Sequence, residues 1–221
     1  MKDLKIKICG MKEPANIRLV SGLGPDYMGF IFFQKSPRYF GESNLEPIEG
    51  IKKTGVFVNA SLSYIIEKVT RLDLDAIQLH GEETPDFCRS LRRDLNINGG
   101  NTEIIKAFGI QNREDLEAVR TYEGLVDFAL FDTRSESRGG SGKSFDWSIL
   151  RDYEGPLPFI LSGGINPSST TSIRELYQYF RQGARPTLFY GIDVNSRFEQ
   201  APGVKDPVSL QEFIKQIKKQ E

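Results

Sequence analysis

The sequence predicts an α/β fold: a single (β/α)₈ barrel (TIM barrel) with eight parallel strands. Short apolar runs rich in β-forming residues recur at intervals of roughly 20 to 30 residues, the spacing of one strand plus one helix. Amphipathic segments of helical period lie between these runs. No linker or shift in composition divides the 221 residues. We therefore expect one domain over residues 1–221, and a compact one with short helices, because barrels of this kind typically take ~250 residues.

The predicted strands follow one another in strict alternation with the predicted helices. Alternation favours a parallel sheet, and eight strand–helix units favour its closure into a barrel, with an open doubly wound sheet as the alternative. The strands are predicted at residues 5–9, 28–32, 55–58, 76–79, 103–108, 128–132, 159–162 and 188–194. The helices are predicted at residues 61–72, 86–94, 113–122, 168–181 and 209–219. Asn112 and the pair Asn166-Pro167 are typical of helix N-termini.

One polar segment, residues 133–145, does not fit the alternation. It is rich in Gly and Ser, follows the sixth predicted strand, and exceeds the usual 2–6 residues of a βα loop. Loops after strands form the active-site face of this fold, so we predict a lid, with an idle surface loop as the alternative. Residues 139–144 imitate part of a nucleotide-binding P-loop. They lack its first-glycine spacing and do not directly follow a strand, so we reject that interpretation.

Composition excludes several classes of function. Twenty-nine Lys and Arg balance 30 Asp and Glu, which argues against a nucleic-acid partner. One histidine and two cysteines outside any CxxC spacing argue against a zinc site, and we expect no metal. The chain has no apolar run long enough to span a membrane, and its first residues lack a signal peptide, so we expect a cytoplasmic protein without a membrane partner.

Polar side chains are expected at the carboxyl ends of strands one, six and eight. Because side chains alternate along a strand, Cys9 shares a face with Lys7, and Asp132 ends the inward face of strand six. A cation such as Lys7 can lower a thiol pKa, and a carboxyl group in a partly dry pocket can stay protonated. Cys9 and Asp132 are therefore candidates for a base and an acid. The alternatives are an inert buried thiol and a helix cap.

Neighbouring polar residues receive simpler interpretations. Asp193, on the eighth strand, lies next to the first strand once the barrel closes, so it can pair with Lys7. The mixed faces of strands four and five, Gln78 with His80 and Ile104 with Lys106, are expected to point into the barrel. His80 is interpreted as structural.

Two loops indicate a phosphate site. Gly163 and Gly164 leave the seventh strand just before a helix N-terminus, where backbone N–H groups bind anions. Asp193, Asn195 and Ser196 close the eighth strand, and the loops after strands seven and eight form the usual phosphate site of this fold. Separately, Arg38 follows Pro37 in the loop after strand two and can bind a carboxylate bidentately, with an ordinary surface charge as the alternative.

Taken together, short motifs along the chain resemble the phosphoribosylanthranilate isomerase family. They are KICG at 7–10, SPR at 36–38, GVFVN at 55–59, QLHG at 78–81, FDT at 131–133, GGSGKSFDW at 139–147, LSGGI at 161–165 and PGVKD at 202–206. Their order and spacing cover nearly the whole chain. The resemblance implies that Cys9 and Asp132 are catalytic, that Arg38 binds an anthranilate carboxylate, and that Gly163-Gly164 and the segment after Asp193 bind phosphate.

The implied reaction is an Amadori rearrangement of a phosphorylated aminoaldose, without cofactor, by a monomer or homodimer. Two alternatives stay open: the related barrel isomerase of histidine biosynthesis, which has an aspartate in place of Cys9, and a non-catalytic phospho-ligand sensor. The chain departs from the family pattern D-V-S-S-G-V-E at Asn195 and Arg197. Arg197 therefore either reaches the phosphate or pairs with an acid such as Glu199.

Overall fold

Eight parallel strands close into a barrel in the computed structural model, which describes residues 1–41, 44–97, 100–133 and 145–219. Each strand pairs with the next along the chain, and the first pairs with the eighth. The strands are β1 (Lys5–Ile8), β2 (Tyr27–Ile31), β3 (Lys52–Phe57), β4 (Ala76–Leu79), β5 (Glu103–Ile110), β6 (Phe128–Thr133), β7 (Phe159–Leu161) and β8 (Phe189–Val194). The predicted barrel is confirmed, and the open sheet is excluded.

The helices around the barrel are short, as the sequence predicts. Its α-helices are α1 (Pro14–Ser21), α2 (Leu62–Leu72), α3 (Pro85–Ile97), α4 (Thr170–Gln182) and α5 (Pro207–Lys218). The prediction missed α1, and the segment predicted as a helix at 113–122 is a 3₁₀ helix with those same bounds. The described residues between β2 and β3 contain no helix. No helix in the described ranges is long and apolar enough to cross a membrane.

Side-chain caps fix several helix starts. Asn112 accepts a hydrogen bond from the Asp115 N–H and forms a capping box, while Asn166 accepts one from the Ser168 N–H. Both caps confirm the sequence-based prediction. Ser61 caps α2 in the same way.

Strand side chains divide between the helical layer and the barrel interior. The outward residues join the main core, whereas the interior holds a small cluster of Tyr27, Ala76, Ile105, Leu130 and Ile160. At the amino ends of the strands, the Tyr27 hydroxyl lies 2.9 Å from the Glu103 carboxylate and 2.8 Å from the Tyr190 hydroxyl. These contacts connect β2, β5 and β8 at that end of the barrel.

Strand β5 corrects one prediction. Ile105 points into the barrel, so Ile104 and Lys106 point outward, the reverse of the expectation. The Lys106 ammonium lies 3.2 Å from the Glu83 carboxylate and donates to the carbonyl of Gly81. The sequence did not reveal this because Ile104 and Ile105 make both faces of the strand apolar, and Glu83 lies in a distant loop.

A short antiparallel hairpin follows β8 and covers part of the mouth. Its strands are β9 (Glu199–Ala201) and β10 (Val204–Lys205). The Asn16 side chain of α1 accepts a hydrogen bond from the Lys205 N–H and donates one to its carbonyl, both at 2.8 Å. These bonds fix the hairpin so that the Lys205 side chain is fully buried.

Candidate active site

The thiol of Cys9 lies at the carboxyl end of β1, buried in the barrel mouth. Lys7, two residues before Cys9 on the same strand face, lies deeper in the barrel. Its ammonium forms an ion pair with the Asp193 carboxylate at 2.9 Å, and the two side chains are 1% and 5% exposed. Lys7 and Asp193 are direct partners in the β1–β8 register. The expected pairing of Asp193 with Lys7 is confirmed, and the interior face predicted for β1 is the one observed.

Gly29 of β2 makes room for this thiol. A Cβ atom at this position would lie 2.8 Å from Cys9 Sγ, closer than real contacts allow, and 3.1 Å from Lys7 Nζ, tighter than most. Any side chain at Gly29 would displace the thiol or the ammonium. The neighbouring strand therefore fixes the position of Cys9.

The protonation of Cys9 is set by opposing influences. Burial raises the pKa of the Cys9 thiol, while the positive charges of Lys7 and Lys205 act in the lowering direction without prevailing. Burial also acts to lower the pKa of Lys7, but the Asp193 carboxylate beside it holds that pKa above its ordinary value. Lys7 therefore keeps its charge, and without substrate Cys9 is mainly a thiol. Lys7 does act to lower the pKa of Cys9, as expected, but the effect of burial is larger and the pKa stays above its ordinary value.

Asp132 lies at the carboxyl end of β6, next to the only histidine of the chain. Its Oδ1 accepts a 2.8 Å hydrogen bond from the Thr133 N–H, and its Oδ2 lies 3.4 Å from His80 Nε2. The other ring nitrogen, Nδ1, lies 2.7 Å from the Gln78 amide nitrogen. With the amide so assigned, Gln78 donates to Nδ1 and the ring hydrogen sits on Nε2, facing Asp132. His80, interpreted from the sequence as structural, belongs to the site.

The loop after β7 packs directly against Asp132. Gly163 and Gly164 both adopt positive φ, at 76° and 78°. A Cβ on Gly163 would lie 2.8 Å from Asp132 Oδ1 and 2.5 Å from Thr133 Oγ1, so only glycine fits. Within the described ranges, neither glycine N–H donates a hydrogen bond, which leaves both available to an anion.

Arg38 does bind a carboxylate bidentately, but the carboxylate belongs to the chain itself. Its Nε lies 2.9 and 3.0 Å from the two Glu199 oxygens, and its Nη2 donates to Oε2 at 2.7 Å. Hydrogen bonding to Glu199 raises the pKa of Arg38. Arg38, Lys205 and their hydrogen bonds outweigh burial and hold the pKa of Glu199 below its usual range. From the sequence alone, Glu199 is expected only as a partner for Arg197.

Lys205 links this pair to the end of β8. Its ammonium donates to Glu199 Oε1 at 2.6 Å and to Asn195 Oδ1 at 2.7 Å. The side-chain oxygen of Asn195 therefore already accepts a hydrogen bond, whereas Ser196 and Arg197 are exposed. The motif PGVKD contains Lys205, but nothing in its local sequence shows that the lysine turns into the barrel mouth.

Two further features bear on the predictions. Residues 134–144 lie outside the described residues, so the lid prediction cannot be followed there; their neighbours Thr133 and Phe145 meet through a 3.3 Å hydrogen bond beside Asp132. In the part of the chain that the structure describes, no cluster of three or more His, Cys, Asp or Glu side chains is arranged to hold a metal ion.

Cys9 and Asp132 thus line the same mouth from β1 and β6. Asp193 interacts with both sides of the mouth. It pairs with Lys7, and it is close enough to Asp132 and His80 for their charges to influence its pKa. The mouth therefore combines a buried thiol, a carboxyl group and, after β7, a glycine loop suited to an anion.

Comparison with known proteins identifies the fold and the family. A family model described as N-(5'phosphoribosyl)anthranilate (PRA) isomerase matches residues 6–216. N-(5'-phosphoribosyl)anthranilate isomerase from Parabacteroides distasonis is 46% identical over 96% of this chain and 92% of its own length. The enzyme from Phocaeicola vulgatus is 42% identical over 96% of this chain and 97% of its own.

Solved structures agree with the sequence relatives. Phosphoribosyl anthranilate isomerase from Thermotoga maritima has a TM-score of 0.76 and 32% identity, covering 97% of this chain and 98% of its own. A phosphoribosyl anthranilate isomerase in complex with reduced 1-(o-carboxyphenylamino)-1-deoxyribulose 5-phosphate has a TM-score of 0.74 and 30% identity over the same shares. With its closed barrel and these matches, the chain belongs to the N-(5'-phosphoribosyl)anthranilate isomerase family.

Proposed function

We propose that this isomerase of tryptophan biosynthesis converts N-(5-phosphoribosyl)anthranilate to 1-(2-carboxyphenylamino)-1-deoxyribulose 5-phosphate with Cys9 as general base and Asp132 as general acid. One observation carries the assignment. A thiol and a carboxyl group occupy the carboxyl-end mouth of one barrel, with the Lys7 ammonium acting to lower the pKa of Cys9 and His80 Nε2 lying 3.4 Å from Asp132 Oδ2. The activity follows from the family, and the residue roles are our proposal.

The acid step opens the sugar ring. Asp132 donates a proton to the ribose ring oxygen, the bond between that oxygen and C1 breaks, and the anthranilate nitrogen becomes an iminium ion. The His80 Nε2–H and the Thr133 N–H both face the carboxylate that remains, and both stabilise its negative charge. His80 is thus a positioning residue that also accommodates the charge produced by the step.

The base step moves the double bond. The thiolate of Cys9 removes the proton from the sugar C2, and the electron pair of that C–H bond shifts toward the iminium nitrogen to give an enolamine. The enolamine then tautomerises to the ketone. A positively charged iminium beside the thiol favours the thiolate, as Lys7 does, and so opposes the effect of burial. Because the iminium accepts the electrons, the rearrangement balances without an external electron acceptor.

The remaining site residues would bind the substrate. Arg38 faces the anthranilate carboxylate, the N–H groups of Gly163 and Gly164 bind the phosphate together with Asn195 and Ser196, and Asp193 acts through Lys7. We further propose that residues 1–221 form one catalytic domain, active as a monomer or homodimer in the cytoplasm.

A turnover assay tests the activity directly. Purified protein is mixed with N-(5-phosphoribosyl)anthranilate, and formation of the aminoketose is followed by chromatography. We expect turnover without added metal or cofactor. Failure to convert this substrate, together with conversion of the corresponding aminoaldose of histidine biosynthesis, would contradict the proposal. Tight binding of the reduced product analogue with no turnover of either substrate would indicate the non-catalytic sensor.

Replacing Arg38 with Met is expected to weaken substrate binding. The variant removes a partly buried cation from the substrate carboxylate, at a cost of about 2–4 kcal/mol, mainly seen as a raised KM. Arg92→Met is the matched control: Arg92 is similarly exposed, at 26% against 20%, and pairs with Asp127 far from the mouth. If Arg38→Met leaves KM and kcat at the values of the control, Arg38 does not bind the substrate.

The pH profile should carry the signature of a buried thiol. Cys9 acts only when deprotonated and Asp132 only when protonated, so kcat/KM should follow a bell-shaped pH profile. Because burial raises the pKa of Cys9, one limb of that profile should lie above the ordinary thiol value of about 8.5. The thiol itself is titrated through the pH dependence of its alkylation in the Cys88→Ser variant, whose only thiol is Cys9. A kinetic profile with no limb at the alkylation midpoint would contradict the base assignment.

A further inference from the structure

Three charged side chains form an ion triad beside the end of β1. The triad consists of Arg38, Glu199 and Lys205, which come from the loop after β2 and from the hairpin after β8. Glu199 and Lys205 are almost fully buried, with side chains 4% and 0% exposed, whereas Arg38 is 20% exposed. Arg38 is therefore the member of the triad most exposed to solvent.

Glu199 occupies a single edge of that guanidinium. It accepts from Nε and Nη2, which form the side edge of the planar group. Within the described residues Nη1 has no partner, so the end edge formed by Nη1 and the second Nη2 hydrogen remains available. A guanidinium can bind two carboxylates at once through these two edges. The contact with Glu199 thus does not compete with a substrate carboxylate. It fixes the orientation in which Arg38 would bind that carboxylate.

The net charge of the triad matters as much as its geometry. Arg38 and Glu199 alone would be a neutral pair with little attraction for a second carboxylate. Lys205 donates to the same Glu199 oxygen at 2.6 Å. Burial lowers the pKa of Lys205 while Glu199 acts to raise it; with the lysine protonated, two cations share one anion and the triad carries a net charge of about +1. The lysine is too buried to touch a substrate, but its charge is felt through Glu199 and Arg38.

The triad also lies next to the reacting centre. A Cβ built on Gly10, the residue after Cys9, would lie 2.8 Å from Arg38 Cδ and 2.7 Å from Asn195 Oδ1, the atom that Lys205 binds. Arg38 is also close enough to Cys9 for the two charges to interact, so a carboxylate bound to Arg38 would lie near the proposed base.

We propose that Glu199 and Lys205 are positioning and specificity residues for the carboxylate-bearing aromatic ring of the substrate. Glu199 fixes Arg38 with its end edge toward the mouth, and Lys205 keeps the triad positive. The inference rests on the proposed function, because it assumes that Arg38 faces the substrate carboxylate. Neither residue touches the substrate.

The test compares two stable ligands that differ only in the carboxylate. They are reduced 1-(o-carboxyphenylamino)-1-deoxyribulose 5-phosphate and its counterpart without the carboxyl group, and the ratio of their dissociation constants measures the carboxylate preference. Phosphate binding and any loss of folded protein affect both ligands alike and cancel in the ratio. Lys205→Met removes the charge, while Glu199→Asp keeps the charge and shortens the arm that holds Arg38. Lys53→Met, which removes a buried lysine bound to Leu72 and Asp73 on the outer face of β3, is the control.

We expect the preference to fall at least about fivefold in Lys205→Met and in Glu199→Asp, equivalent to about 1 kcal/mol, and to stay unchanged in Lys53→Met. Lys205→Arg, which keeps the charge, should retain most of the preference. Lys205→Gln replaces the methionine variant if that variant does not fold. A preference within twofold of the parent in the folded variants would overturn the inference. A parent protein that turns over the substrate but shows no carboxylate preference would overturn the role of Arg38 as well, without affecting the isomerase assignment.

Discussion

Cys9→Ser is expected to lower kcat by at least ~10²-fold, the scale of a lost general base. Serine is slightly smaller than cysteine, so it fits the space that Gly29 leaves without disturbing Lys7. Its hydroxyl, however, ionises far less readily than a thiol and cannot take the C2 proton at neutral pH. Affinity for the reduced product analogue should change little, because the thiol removes a proton and does not anchor the substrate.

Cys88→Ser provides the matched control for this prediction. Cys88 is also fully buried, and burial raises its pKa to about 11, but it lies in α3 on the outside of the barrel. We expect a modest loss of stability and near-native kcat. Steady-state kinetics on both variants test the assignment. Near-native turnover in Cys9→Ser, or an equal loss of turnover in Cys88→Ser, would show that Cys9 is not the base.

The barrel was predictable because local patterns determine it. Each strand is short, apolar and followed by a helical or turn segment, and these signals need only neighbouring residues. The prediction was wrong where the local pattern is ambiguous. In β5, consecutive isoleucines hide which face is inward, and the outward position of Lys106 depends on Glu83 from another loop. Helix α1, eight residues long with Pro at its start, was too short for its period to be recognised.

The positions of the two proposed catalytic residues were also predictable, for a related reason. Cys9 and Asp132 end strands, and the carboxyl ends of parallel strands meet at one mouth whatever the details of packing. Register then accounts for Lys7 and Asp193, which become partners as soon as β1 and β8 close the barrel.

The supporting residues were not predictable from local pattern. Arg38 and Glu199 are 161 residues apart, and the hairpin that returns Lys205 to the mouth is held by Asn16 of α1. His80 lies two residues beyond Gln78 on the inner face of β4, but its contact with Asp132 joins β4 to β6 across the mouth. Such contacts depend on the closed tertiary structure. QLHG and PGVKD, which contain His80 and Lys205, mark these residues by family resemblance without indicating what they touch.

Asp132→Asn is expected to lower kcat by a similar factor, at least ~10²-fold. Asparagine has the same shape, and its oxygen can still accept the hydrogen bond from the Thr133 N–H, so the loop after β7 should keep its place. What the amide lacks is an acidic proton for the ribose ring oxygen. Without it the ring stays closed, no iminium forms, and Cys9 has no acidified C2 proton to remove.

A carboxylate next to the same strand provides the control for Asp132→Asn. Asp127 lies just before β6 at the opposite end of the barrel, where it binds Arg92 and the Ile104 N–H. Asp127→Asn should reduce stability and leave kcat unchanged. His80→Asn should reduce kcat less than Asp132→Asn does, because it removes a group that assists the acid and leaves the acid itself. Two outcomes would contradict this assignment: near-native turnover in Asp132→Asn, or a larger loss in His80→Asn than in Asp132→Asn. In that case the proton that opens the ring comes from His80, and the Asp132 carboxylate only orients the imidazole.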